Sequence, residues 1–202
     1  MKENKISLFR SLYKSKDVPY LLTLESILKR IKDGKSKHII EQMVDDPSAK
    51  TKLPCIMFAG EFTERKKSGL KAHSGLMVLD FDKIPEKKYN HFFKILKENT
   101  HIVSLFRSPS GNGIKGVVKI PKCDAKNHEK YFRQFSEDFN YEYFDLSGCN
   151  VDRVCFESYD PNIYINYDAV EYCPKLTEDG FKVSDKTPLI PISDDDKKIE
   201  II

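Results

Sequence analysis

GLMVLDFD, residues 75–82, is a strand-length apolar run that ends in two acids. Along an extended chain successive side chains point to opposite faces. Met77, Leu79 and Phe81 therefore share one face, and Asp80 and Asp82 share the other. Downstream of this run the period changes. EKKYNHFFKILKEN (86–99) places Tyr89, Phe92, Phe93 and Leu96 on one helical face behind Pro85, a residue suited to a helix start. HIVSLFR (101–107) reads as a strand, SPSGNG (108–113) as turn chemistry, and IKGVVKI (114–120) as an alternating strand. NHEKYFRQFSEDF (127–139) is helical, with Phe132, Phe135 and Phe139 at helical spacing; RVCFES (153–158) reads as a strand and residues 162–167 as another.

The order is β-α-β-β-α-β, the split βαβ of a ferredoxin/RRM-like core in an α/β (α+β) protein. A general α/β sandwich with extra strands stays open, because residues 54–58 can add a strand in front. In the usual sheet order the first and third strands are antiparallel neighbours. One rim of the sheet is then expected to collect Asp80, Asp82, Arg107, Ser110, Lys115 and Arg153. The aromatic helices would cover the apolar face, leaving the other face to present the two acids flanked by cations.

Composition narrows the class without naming a task. The chain of 202 residues suits one domain with extensions. Lys+Arg 34 against Asp+Glu 31 leaves +3, too small a bias to mark a nucleic-acid binder, so a basic surface has to come from clustering. No apolar run is long enough for a membrane span, and MKENKISLFRSLYKSK at the start is no secretory signal. Five cysteines without a CxxC pair argue against a disulfide framework or a cysteine zinc site, so a cytoplasmic, reduced chain without a membrane partner is expected. Residues 1–52 carry 12 Lys/Arg and 7 Asp/Glu and contain two helical patterns, the first capped by Thr23. They read as a basic, largely helical extension, with the main domain over 53–182 and a linker or tail over 183–202.

Two acids at i and i+2 on a strand repel unless a cation separates them, and hard carboxylate oxygens suit Mg²⁺ or Mn²⁺. Neighbouring Lys and Arg then fit phosphate oxygens. The same acids can equally mark a strand's exit into solvent. In SPSGNGIK, Gly111 and Gly113 permit a backbone nest for an anion, with the Ser110 hydroxyl and the Lys115 charge beside it; an ordinary hairpin has the same composition. It lacks the P-loop spacing. Arg65, Lys66, Lys67 and Lys71 form a basic loop that either touches template phosphates or is simply solvated. His73 reads as a local packing residue, since the five histidines show no ligand spacing.

Together, GLMVLDFD, SPSGNGIK and FDLSGCNVDR resemble the three motifs of archaeo-eukaryotic primase-type polymerases, the prim-pol superfamily. HSGLMVLDFDKI, SPSGNGIKGVVKI and DRVCFESYDPNIYIN are most similar to the VirE-type N-terminal domain, over roughly residues 54–167. The resemblance implies a metal-holding set of Asp80, Asp82 and Asp145, the last standing eight positions before Arg153. It also implies a nucleotide-phosphate set of Ser108, Ser110, Gly111, Gly113, Lys115 and Arg153, with Arg107 assisting. Where the family motif ends in His, this chain has Lys115, which can hold phosphate but cannot copy a neutral imidazole.

A primase/polymerase-like nucleotidyltransferase of a replication protein is therefore expected. It would use Mg²⁺ or Mn²⁺ in a two-metal transfer from a nucleoside triphosphate to a 3′-hydroxyl on single-stranded or primed DNA, with a helicase module or protein as partner. The alternatives are a catalytically inactive domain of that fold that binds nucleic acid or docks a helicase, and a metal-dependent nuclease.

Overall fold

The computed structural model describes residues 5–14 and 16–174. In chain order the elements are β1 (Ile6–Phe9), β2 (Tyr20–Leu22), α1 (Leu24–Asp33), α2 (Lys37–Gln42), β3 (Cys55–Met57), β4 (Gly60–Phe62), β5 (Leu70–His73), β6 (Leu76–Phe81), α3 (Glu86–Lys97), β7 (Ile102–Arg107), β8 (Ile114–Lys119), α4 (Ala125–Phe139), β9 (Cys155–Phe156) and β10 (Tyr164–Ile165). The expected tail over 183–202 lies outside the described residues. No helix among the described residues is long and apolar enough to cross a membrane.

The fold is mixed α+β with antiparallel sheets. The quoted run forms β6, and β8 lies between β6 and β7, antiparallel to both. This is the split βαβ read from the sequence. Its helices behave as their sequences require. Asp124 caps α4 by accepting from the Asn127 amide, and Asn140 ends it in the left-handed conformation. The apolar faces of α3 and α4 meet one face of the sheet: Tyr89, Phe92, Leu96, Phe132 and Phe135 pack with Met77, Leu79, Phe81, Ile114 and Val118. Phe81 sits within an aromatic cluster, with ring centroids 5.4 Å from Phe92 and 5.2 Å from Phe144.

Two expectations need correction. Residues 153–158 do not supply the fourth strand of this sheet. Their strand β9 pairs with β3 in a second sheet of order β2-β1-β3-β9, while β10 joins the first sheet at the outer side of β7. Nor does the second face of the first sheet lie open. Leu76, Phe106 and Val117 pack there against Ile6, Leu8, Ile56, Phe58 and Cys155 of the second sheet and Ile27 and Ile31 of α1. The rim at the end of β6 stays accessible. The reason was out of reach of the local pattern: β1 is a four-residue strand in a charged segment, and its partner β3 stands about fifty residues later. The N-terminal segment thus contributes strands as well as helices.

A buried ion pair fixes the second sheet's exit. Glu157 is fully buried one residue after β9, and its carboxylate accepts from Arg30 Nε at 2.6 Å, from Arg30 Nη2 at 3.0 Å and from the Ser36 hydroxyl. This ties α1 to the segment that follows Arg153. Arg30→Met strands the carboxylate without its cation and is expected to cost about 3 kcal/mol in urea unfolding. Arg30→Met/Glu157→Leu should recover more than half of that loss, and simple additivity of the two single losses would contradict the assignment.

Candidate active site

Three chain segments meet at the rim. The first is the end of β6. The second is residues 143–145, which run beside it: Phe81 and Phe144 form an antiparallel bridge, the Asp82 amide donates to the Tyr143 carbonyl at 3.0 Å, and the Asp145 amide donates to the Asp80 carbonyl at 2.8 Å. Tyr143 holds a positive φ of 65° to make this approach. The third is the turn after β7. Its Ser108 amide donates to the Gly113 carbonyl, and Gly111 sits at φ 82°. A Cβ on Gly113 would stand 2.7 Å from the Phe81 carbonyl, so the turn lies against the β6 end only because that residue is glycine.

This brings Asp80, Asp82 and Asp145 together, with a carboxylate oxygen of each within 4.8 Å of the others. Asp80 is buried, Asp145 half-buried and Asp82 exposed. Lys115 is the direct cross-strand partner of Asp80, and its ammonium contacts Asp80 Oδ2. Arg153 Nη2 lies 2.8 Å from Asp145 Oδ2 and 3.3 Å from Asp80 Oδ2. Burial and the neighbouring Asp80 charge raise the Asp82 pKa, opposed by Lys115. Asp145 shifts the other way: burial pushes it up, but the Ser147 hydroxyl and amide, with Arg153, hold it below the usual carboxylate value.

Asp80 and Asp82 open onto a cleft of about 380 Å³ whose polar side they share with Ser108, Ser110, Lys115 and Arg153; Asp145 reaches it through Arg153. Leu12, Val154 and Phe156 supply an apolar side, and Lys50 stands by the Phe156 ring. Among the described residues, two buried oxygens here lack a hydrogen-bond partner, Asp80 Oδ1 and the Ser108 hydroxyl. An orphaned carboxylate oxygen within three converging carboxylates suits a hard divalent cation, and the donor set is all oxygen. The residues present therefore fit Mg²⁺ or Mn²⁺.

Arg107 is placed differently from the other cations. Its Nη1 donates to the Gly111 carbonyl at 2.8 Å and its guanidinium lies 4.0 Å from the Tyr89 ring centre, so it braces the glycine turn. Arg65 turns inward to the Leu12 carbonyl, Lys66 pairs with Glu64 at 2.7 Å, Lys71 stands 3.9 Å from Glu61, and Lys67 is exposed. None of the four lines the cleft. The cleft residues missed from sequence, Leu12, Lys50, Val154 and Phe156, carry no local motif. Ser147 was legible, since Asp-x-Ser favours the local side-chain turn observed.

The model of the BT4734-like, N-terminal domain matches residues 48–165, more than half of the chain and all three acids. The chain belongs to that family. The expected VirE-type domain is thereby replaced by this family. No curated protein matches. A solved structure similar to this chain is the AEP domain of the cyanophage S-2L primase-polymerase (PrimPol), at 10% identity and a TM-score of 0.45, over 85% of this chain and 84% of that one.

A second donor cluster joins His73, Cys123 and His128. The Gly75 amide donates to His73 Nδ1 at 2.9 Å, which leaves the ring proton on Nε2. That proton faces His128 Nδ1 at 3.0 Å. A metal on Nε2 would need the opposite tautomer, so the pair is a hydrogen bond that pins α4 to the end of β5, just ahead of the strand carrying the acids. Burial, with Lys122 nearby, lowers the His73 pKa to about 4, and burial, with His73, lowers that of His128. Between about pH 6.5 and 4 the unfolded chain takes up protons that the native pair refuses. Stability is therefore full above that window and is expected to drop by a few kcal/mol as pH falls through it. Urea unfolding across this range should show the loss, and His73→Phe/His128→Leu should flatten it; an unchanged slope in the double variant would contradict the assignment.

Proposed function

We propose that this domain is a primase-polymerase-like nucleotidyltransferase that extends a nucleic-acid 3′-hydroxyl on a DNA template. The observation that carries the reading is the convergence of Asp80, Asp82 and Asp145 within 4.8 Å, beside a cleft that Asp80 and Asp82 line together with Lys115 and Arg153. The motif resemblance supports it independently of that geometry.

Asp80, Asp82 and Asp145 would hold Mg²⁺ or Mn²⁺. Bound there, the divalent ion supplies positive charge for the attacking hydroxyl and the leaving pyrophosphate. Lys115 and Arg153 receive triphosphate oxygens as charged donors. The 108–113 turn adds the Ser108 and Ser110 hydroxyls, and Gly111 and Gly113 allow its backbone to approach the phosphates. Arg107 keeps that turn in shape. The exposed ammonium groups of Lys66, Lys67 and Lys71 are available to template phosphates, and Arg65 serves the same loop from inside. Its partner in such a replication system would be a helicase module or protein, with both acting in the cytoplasm.

One observation favours a second reading. Lys115 stands where the prim-pol motif that the sequence resembles has His, and it contacts Asp80 directly. A domain in which that ion pair persists would bind nucleic acid without catalysis. Incorporation of labelled nucleotides on primed DNA with Mn²⁺ separates the two. The proposal expects incorporation by the wild type and a loss of about a hundredfold or more in Asp80→Ala, with DNA binding retained. Template binding without incorporation under either metal would establish the second reading instead.

A further inference from the structure

Asp80 Oδ2 has rival partners. The Lys115 ammonium contacts it, Arg153 approaches it at 3.3 Å, and it belongs to the carboxylate set suited to a divalent cation. Lys115 and Asp80 side chains are only 13% and 11% exposed, so their attraction is weakly screened. Neither partner can leave cheaply unless something replaces it, because an unpaired buried charge is costly. The cleft offers Lys115 one alternative. Its side chain lines the same space as Ser108 and Ser110, and the Ser108 hydroxyl, which has no hydrogen-bond partner among the described residues, can donate to an anion there. Lysine suits such an exchange: its stem is anchored on β8 and its charge is a compact, freely rotating donor.

We propose that Lys115 makes metal and triphosphate binding interdependent: the ammonium and a divalent cation compete for Asp80, and a triphosphate settles the competition by drawing the ammonium to its own oxygens. The inference rests on the function proposed above. It makes Lys115 a positioning residue for Asp80 as well as a phosphate ligand. By linkage, each ligand must then raise the affinity for the other. The departure from His becomes a device that keeps the acids from taking up a metal that arrives without nucleotide.

The test uses the full chain and Mn²⁺ alone, followed by loss of the free-ion EPR signal. Lys115→Gln should bind Mn²⁺ about tenfold tighter than the wild type, the equivalent of one weak ion pair. Lys115→Arg should stay near the wild type, since it keeps the competing charge. In EDTA, Lys115→Gln should bind inorganic triphosphate about tenfold more weakly. Opposite signs in the two arms are the signature. Should Lys115→Gln fail to fold by circular dichroism, Lys115→Met carries the same expectation. Equal or weaker Mn²⁺ binding in the folded variant overturns the coupling while leaving the metal site intact. Mn²⁺ binding that is unaltered by Asp80→Asn, or absent from every variant, overturns the metal site itself and the coupling with it.

Discussion

The site depends on one cross-strand pair. Antiparallel registration of β6 on β8 sets Asp80 opposite Lys115 and points both away from the aromatic helices. Because the period along a strand is two, a slip of one residue would exchange Asp80 with Phe81 and push a carboxylate into the aromatic cluster. The core on each side forbids that slip. Met77, Leu79 and Phe81 are committed to α3 and α4, and Leu76 to the second sheet. The acids are thus positioned by the apolar residues between them. Arg153 then spans from Asp80 to Asp145 and ties the 143–153 segment to the same rim.

That arrangement stores electrostatic tension and relieves it locally. Three carboxylates converge with two cations, and two buried oxygens find no partner among the described residues. A purely structural salt-bridge network would tend to satisfy these atoms. Their state is understandable in a cleft whose lining on one side suits phosphates and on the other suits an apolar ring.

Much of this was legible along the chain, and what was not has a physical cause. The alternation in residues 75–82 and the helical spacing of Phe132, Phe135 and Phe139 specify burial directly, so the strand, the helices and the covered face could all be read. Asp145 came from its spacing to Arg153 within a motif, and its backbone pairing with β6 explains how the two remote segments meet. The second sheet was hidden because β1, β2 and β3 are four residues or fewer, and β9 and β10, though read as strands, span two residues each, too short to reveal which sheet they join. Their placement is decided by partners, β3 and β7, and by the buried Glu157–Arg30 pair. Arg107 looked like one more phosphate ligand because charge type says nothing about direction; its ring contact and its bond to the Gly111 carbonyl depend on α3 lying alongside.

The central claim is that the acids at this rim form a cation site joined to a triphosphate pocket. Anomalous diffraction from crystals soaked with Mn²⁺ and a non-hydrolysable deoxynucleoside triphosphate tests it most directly. The account predicts a manganese peak bounded by Asp80, Asp82 and Asp145, with phosphates against the 108–113 turn and the Lys115 ammonium moved onto them. No peak at the acids, with Lys115 still seated on Asp80 and the nucleotide bound elsewhere or not at all, would contradict it.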